Sequence, residues 1–335
     1  MAETFKLTND ALDALFAAMR KAGHRVLAPV DTDGRTELND VERPAQVAQD
    51  YIQTILSAKE IVFPKVERLL SYRTEDGQVE LHDAEPTSRP TVVFGVRPCE
   101  AKAFAALDAV FNWDTRDKFF NARQEQLTVL GLTCTKADEA CFCTSVGGGP
   151  ADTQGSDILL TPIEGGYLAE VLTEKGRAIQ SLVPGAFAPG NGENKEVLTA
   201  RVEKHFDQPA LSAKLPGIFE SKLWEDQALR CIGCGACAFV CPTCVCFDMQ
   251  EEADPKQGQR LRCWDSCGFS MFTLHASGHN PRETQSARWR QRVYHKFSTY
   301  PERYQMLGCV GCGKCTRACP VDMNLREHLV EAANA

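Results

Sequence analysis

The sequence predicts two unlike halves: an α/β domain over residues 1–190 and a mostly α-helical domain over residues 191–335. Three observations lead there. Short, wholly apolar runs beside helical patterns fill the first half. A stretch rich in Pro, Gly and Asn at 183–195 (VPGAFAPGNGENK) reads as a linker. The sixteen cysteines are also unevenly spread, with none before Cys99, four between 99 and 143, and twelve between 231 and 319.

In chain order, Asn9 is placed to cap a helix whose apolar positions Leu12, Leu15, Phe16 and Met19 follow the i, i+3, i+4, i+7 spacing. Gly23 closes that helix, and Val26-Leu27 opens an extended segment. Thr91–Val96 (TVVFGV) reads as a buried strand, followed by Arg97-Pro98-Cys99 and a helix from Ala101 to Phe111. Leu127–Leu132 (LTVLGL) reads as a second such strand ending at Thr133-Cys134. Functional residues in open α/β sheets gather at the carboxyl ends of strands. If the two strands are parallel neighbours, Cys99 and Cys134 share one sheet edge. Ile158–Glu164 and Tyr167–Thr173 read as a hairpin turning at Gly165-Gly166, with a helix from Glu174 to Leu182 after it. From about residue 196, helical patterns frame cysteine loops.

Composition narrows the class. Hydrophobic residues at 43% and charged residues at 24% fit a globular chain with a proper core. A net charge of −8 argues against general affinity for nucleic acid or anionic membrane. No run of about 18 apolar residues suits a membrane span. The N-terminus (MAETFKLTNDALDALF) is acidic without a long apolar core, unlike a signal peptide. The protein is therefore expected in the cytoplasm, where thiols serve as metal ligands or redox groups more often than as disulfides.

The strongest motif joins Cys231, Cys234, Cys237, Cys241 and Pro242, and it recurs as Cys309, Cys312, Cys315, Cys319 and Pro320. This is the bacterial ferredoxin run C-x2-C-x2-C-x3-C-P, present twice, in which the fourth cysteine ligates the other cube. Three thiolates must wrap one face of a small cluster, and glycines at 233, 235, 311 and 313 permit the tight loop. Cys231, Cys234, Cys237 and Cys319 are thus expected to hold one [4Fe–4S] cluster, and Cys309, Cys312, Cys315 and Cys241 another. Zinc is the competing reading, since zinc ribbons pair two C-x2-C units, but three cysteines per run and the proline favour iron–sulfur. Residues 242–308 separate the runs, more than a compact ferredoxin needs. That suits the helical two-cluster domains of multisubunit redox enzymes.

Two further sets are candidates for one or two additional clusters. Cys244, Cys246, Cys263 and Cys267 form a C-x-C and a distant C-x3-C, suited to a cluster or a zinc ion, with buried free thiols as the bland reading. Cys99, Cys134, Cys141 and Cys143 lie at strand ends and in a loop before Gly147-Gly148-Gly149. Those glycines also resemble a phosphate cradle, but the strand–turn–helix context is missing. His275 and His279 have i, i+4 spacing without the Glu of a zincin, and read as positioning backbone and cluster loops. Arg282, Arg288, Arg290, Arg292, Lys296 and Arg303 form either a solvated face or a basic collar for anionic clusters or a partner. Trp264, Trp289, Tyr294, Phe297 and Tyr300 nearby would suit an interface core. No flavin or nicotinamide site is recognised.

The segments VFGVRPCEAKAFAALDAVF, CFCTSVGGGP, CPTCVCFD, WDSCGFSMFTLHASGHNPR and RQRVYHKF together resemble one family. It is the 4Fe–4S dicluster family containing the β subunits of sulfhydrogenases and the A-type subunits of anaerobic sulfite reductases. The similarity runs from about residue 25 to 325. Where the family usually reads RPCD, this chain has Arg97-Pro98-Cys99-Glu100, which keeps the acidic residue. The resemblance implies an electron-relay subunit of an anaerobic complex. Its partners would be a flavin-containing reductase subunit that meets NAD(P)H and a terminal hydrogenase, sulfite reductase or heterodisulfide-reductase-like unit. The chain carries none of their active-site motifs: no nickel-type CxxC pair at both ends, no siroheme pattern, no convincing G-x-G-x-x-G. A non-catalytic relay is therefore the leading expectation. The alternatives are catalysis at an atypical cluster on Cys99, Cys134, Cys141 and Cys143, and a zinc-bearing scaffold.

Overall fold

A computed structural model describes residues 3–190 and 195–335. The first half contains strands β1 (Glu3–Thr8), β2 (Arg25–Thr32), β3 (Arg35–Asp40), β4 (Val66–Glu75), β5 (Gln78–Asp83), β6 (Thr91–Val96), β7 (Leu127–Leu132), β8 (Ile158–Ile163), β9 (Gly166–Val171) and β10 (Phe187–Pro189). Its helices are α1 (Asn9–Lys21), α2 (Pro98–Phe111), α3 (Lys118–Gln126) and α4 (Glu174–Ser181). An eight-stranded sheet runs β10-β1-β9-β8-β7-β6-β2-β3. Its centre, β2-β6-β7-β8, is parallel, and the flanking pairs are antiparallel. β6 and β7 are buried along their whole length, as apolar strands covered on both faces must be.

The α1 reading holds in its face: Leu12, Leu15, Phe16 and Met19 are buried, each worth roughly 1.5–3 kcal/mol of transfer free energy. The cap is Thr8 rather than Asn9, its hydroxyl accepting from Ala11 N at 3.3 Å. Gly23 closes the helix at φ +88°. α2 begins three residues earlier than expected, because Pro98 at the first helical turn has no N–H to leave unpaired. Cys99 therefore sits inside that first turn. The stretch read as a linker includes residues 191–194, which lie outside the described residues. Its described part contains β10, which pairs with β1 (Phe5 opposite Pro189).

The second half carries α5 (Gln208–Lys214), α6 (Leu223–Ala228), α7 (Ala236–Phe239), α8 (Gln285–Tyr294), α9 (Tyr300–Tyr304), α10 (Lys314–Arg317) and α11 (Leu325–Asn334). A π-turn, His295–Thr299, joins α8 to α9. It also holds a hairpin that the sequence does not predict, β11 (Phe247–Ala253) and β12 (Gln257–Trp264). These strands are polar and largely exposed, so no apolar alternation announces them; pairing with β4 makes them strands. The resulting antiparallel sheet, β11-β12-β4-β5, draws two strands from each side of residue 190.

Other contacts cross the same line. Phe142 and Val146 pack in the core of Leu211, Trp224, Trp289 and Phe297. Trp264 packs with Phe63, 5.6 Å between ring centroids, beneath the Lys59 ammonium. Arg262, buried on β12, is ion-paired to Glu67 on β4 and to Asp117 Oδ2 at 2.5 Å, the cap residue of α3. The boundary at residue 190 is thus spanned by a sheet, a core and a buried charge network. Among the described residues no helix is long and apolar enough to cross a membrane.

Candidate iron–sulfur sites

The Cys99 set is built by the parallel strands. β6 pairs with β7 (Val93 opposite Val129), so the chain emerges from both strands at one edge, at Arg97 and Thr133. Buried Arg97 ties the two ends together, Nη1 donating to Thr133 O at 2.8 Å and Nε to Ile52 O at 3.2 Å. Cys99 and Cys134 follow those anchors, and the loop through Cys141 and Cys143 folds back onto them. Cys99 feels the charges of Cys134 and Cys143, and both of those feel Cys141. Burial pushes the Cys134 thiol up to about 11 and the Cys143 thiol up to about 12. Gln53 Nε2 donates to Cys99 Sγ at 3.1 Å, and Arg317 Nη2 to Cys141 Sγ at 3.0 Å. Gly147-Gly148-Gly149 belongs to this loop: Gly148 N donates to Cys143 O at 2.9 Å and Lys102 Nζ to Gly147 O at 2.5 Å.

In each ferredoxin run the fourth cysteine stands with the other run. Cys231, Cys234, Cys237 and Cys319 line one cleft, with Cys267 and Cys315 in its walls. Gln285 Nε2 donates to Cys231 Sγ at 3.1 Å and Met323 N to Cys319 Sγ at 3.2 Å. Cys309 and Cys312 each feel Cys241 and Cys315, and burial pushes the Cys309 thiol up to about 12. The four loop glycines have φ of +70°, +74°, +64° and +73° at 233, 235, 311 and 313. At Gly311 a second reason appears. A Cβ there would stand 2.6 Å from the Cys143 backbone, and Phe142 N donates to Gly311 O at 2.9 Å. The second run therefore lies backbone to backbone on the Cys141–Cys143 loop.

The remaining four cysteines do not meet as a set. Cys246 and Cys267 are hydrogen-bonded, and Cys244 is hydrogen-bonded to Cys241. The hydrogen bond from Cys246 brings the Cys267 thiol down to about 6, against burial and with help from Arg292 and Lys296. Cys263 is elsewhere. It lies on β12 opposite Val66 and Asp248, between Arg262 and Trp264, which both face the core. Strand alternation turns Cys263 to the opposite face, and the charges raising its pKa after burial are Asp248 and Glu252, with no cysteine among them. The grouping of Cys263 with Cys244, Cys246 and Cys267 is corrected accordingly.

No set is isolated. Cys99 neighbours Cys312, Cys241 contacts Cys244, and Cys237 neighbours both Cys267 and Cys315. Cations line this row. Arg288, Arg292 and Lys296 are buried, one turn apart on the inward face of α8 and the π-turn. Arg292 Nη1 stands 3.5 Å from Cys244 Sγ, and Lys296 Nζ 3.3 Å from Cys241 Sγ. Of the basic run, these three turn inward. Arg290 lies over Phe219, 3.8 Å from the ring centroid, and Arg303 over Trp113 at 4.3 Å.

Other expectations resolve differently. Trp264, Trp289, Tyr294, Phe297 and Tyr300 are each no more than 8% exposed, so they fill the chain's own core and present nothing to a partner. His275 and His279 occupy an exposed turn in which His275 N donates to His279 O at 2.8 Å, so their spacing is not helical. Three participants are not predicted by the sequence. Lys59 Nζ donates to Cys244 O at 2.9 Å, and nothing in its sequence context signals this. Lys314 pairs with Glu100 (Nζ–Oε1 3.3 Å), both buried, and Arg317 pairs with Asp138. Both of these cations stand between the cysteines of the second run, a placement that could have pointed to them.

The donor set fits iron–sulfur chemistry. Burial disfavours the thiolate at Cys99, Cys134, Cys143, Cys237, Cys309 and Cys312, and the positive charge of a bound metal would offset that cost. The buried cations beside them supply the counter-charge that thiolates bound to iron need.

Residues 230–323 match the family described as 4Fe-4S dicluster domain. Over 327 residues, 94% of each chain, the sequence is 30% identical to sulfhydrogenase 2 subunit beta of Pyrococcus furiosus. No solved structure matches it. The chain belongs to the 4Fe–4S dicluster family that contains the sulfhydrogenase β subunits.

Proposed function

We infer that this chain is an electron-transfer subunit of a cytoplasmic, anaerobic, multisubunit oxidoreductase, relaying single electrons through [4Fe–4S] clusters. The observation that carries this reading is the unbroken row of cysteine sets through both halves, in which each set borders the next. A row of adjacent one-electron centres moves charge; a single catalytic centre would not need one. Clusters change oxidation state by one electron, with potentials tuned by burial and by hydrogen bonds to sulfur.

In this reading Cys231, Cys234, Cys237 and Cys319 hold one cluster, and Cys309, Cys312, Cys315 and Cys241 the second. Cys99, Cys134, Cys141 and Cys143 hold a third. Cys244, Cys246 and Cys267, without Cys263, are left as candidate ligands of a further site, although among the described residues no three such side chains are grouped to hold a single metal ion. The partners are a terminal redox subunit, such as a hydrogenase, together with a flavin-containing reductase subunit. Membership of a hydrogenase complex is in keeping with the name of the Pyrococcus relative, and the flavin subunit rests on the family resemblance.

The test is anaerobic analysis of iron, acid-labile sulfide and zinc, together with reduction of the purified chain. About twelve to sixteen irons per chain, negligible zinc and reducible signals without substrate turnover are the expected results. Zinc at four thiolates, or turnover by the pure chain, overturns the relay. Cys143→Ser separates the catalytic alternative: lost turnover with electron flow to an artificial acceptor intact would favour it.

A further inference from the structure

Lys296 is 3% exposed and, among the described residues, has no carboxylate within ion-pair distance. Lys314, equally buried, has Glu100. An unpaired buried ammonium is costly, so its surroundings must supply the compensation. Its three protons are directed at Cys241 Sγ (3.3 Å), Thr243 Oγ1 (3.0 Å) and Gly308 O (2.7 Å). Thr243 repeats the pattern, donating to Gly308 O at 2.6 Å and lying 3.3 Å from Cys241 Sγ. In return Gly308 N donates to Lys296 O at 3.0 Å. A Cβ at Gly308 would stand 3.2 Å from Lys296 Cα, so the two backbones are in close contact. Lys296 thus grips the residue before Cys309 with its backbone and its side chain, and touches Cys241 with the same ammonium. It lies in the π-turn, a local helical irregularity that often marks functional positions.

We propose that Lys296 is the residue that sets the reduction potential of the site formed by Cys241, Cys309, Cys312 and Cys315. The proposal rests on reading that site as a [4Fe–4S] cluster. One electron arriving from an external one-electron donor adds one negative charge to the site. A fixed ammonium 3.3 Å from one ligand sulfur favours that reduced state, and no proton need move. Lys296 is a positioning residue here: it acts through Cys241 and Gly308.

The experiment is an anaerobic redox titration of the full chain followed by electron paramagnetic resonance, with iron counted per chain. The variants are Lys296→Gln, Lys296→Met and Lys296→Arg, with the outward Arg290→Gln as control. Lys296→Gln keeps donors and removes the charge. It should leave the iron count unchanged and move one centre to lower potential by at least tenfold in its reduction equilibrium, about 59 mV for one electron. Lys296→Met should move the same centre at least as far, and Lys296→Arg should leave it near its original value. Equal potentials in all variants at full iron content overturn the proposal while leaving the cluster reading intact. Loss of the centre in both Lys296→Gln and Lys296→Arg makes the role structural and also overturns it. A wild-type chain without iron removes the cluster reading itself, and the proposal with it.

Discussion

The two ferredoxin runs share their cysteine spacing, their glycines and their proline, yet they sit in opposite surroundings. The first, through Cys231, Cys234 and Cys237, lines a cleft in which Cys234 is exposed and Ile232 is 65% exposed. The second is clasped by the first half of the chain at Gly311, Lys314 and Arg317, while its Cys319 crosses to the cleft of the first. The difference lies in the residues between the cysteines. Ala236 and Phe239 of the first run correspond in position to Lys314 and Arg317 of the second. Phe239 packs on Trp264 and Phe269 in its own half. Lys314 reaches Glu100 and Thr54, and Arg317 reaches Asp138 and Cys141, all across the line at residue 190. The cysteines specify the cofactor, and the residues between them specify where the loop docks.

The sharpest way to break this contrast is Lys314→Met. It leaves Glu100 buried and charged without its partner, at a cost of about 3–5 kcal/mol. Denaturant unfolding under anaerobic conditions measures it, and the double variant with Glu100→Met should recover much of the loss. An unchanged midpoint would show that the pair does not clasp the halves.

Glycine replacement compares the runs directly. Gly311→Ala drives a Cβ into Cys143 backbone, whereas Gly233→Ala meets only the end of a side chain, the Gln285 oxygen at 3.1 Å, held by Arg288. Both suffer the left-handed backbone penalty, roughly 1 kcal/mol. Gly311→Ala should lose about 1–3 kcal/mol more, and iron from the Cys99 set with it. Equal losses in the two variants would mean that the backbone contact at Cys143 is not tight.

Arg317→Gln is a milder cut and carries a pH signature. Burial pushes the Asp138 carboxyl up, but the hydrogen bonds and charge of Arg317 outweigh it and hold the pKa below its usual value. A carboxyl depressed in the folded state contributes stability above its unfolded pKa, near 3.8, and loses it as pH falls through the lower folded value. Acid titration of stability should therefore flatten in that region for Arg317→Gln and stay unchanged for Arg290→Gln.

Cys263→Ser should do least. On the outward face of β12 it is expected to alter stability by no more than about 0.5 kcal/mol and to leave the iron count as it was. Cys267→Ser should lower that count. Iron lost from the Cys263 variant would return Cys263 to the ligand set.

Much of this was legible in the chain itself. A C-x2-C-x2-C-x3-C-P run is local geometry, so the type of cofactor could be read from spacing. The same spelling sends each fourth cysteine across, and both Cys241 and Cys319 stand with the other run. Apolar runs such as Thr91–Val96 and Leu127–Leu132 announced buried parallel strands, and with them the edge shared by Cys99 and Cys134. What remained hidden was long-range. β11 and β12 are polar strands made by their partner β4, and Cys263 owes its outward direction to that pairing. Lys59, far from any cysteine in sequence, reaches Cys244 only because the halves interlock. Arg292 and Lys296 were equally consistent with a solvated face and a collar until packing buried them.

Spacing along the chain pointed to two clusters and to the eight cysteines expected to hold them, because ligand loops are built from consecutive residues. The tertiary structure alone decided how the other cysteines divide, and which cations stand beside sulfur. Those are properties of surfaces brought together from distant segments, where burial makes each unpaired charge and each misplaced Cβ count.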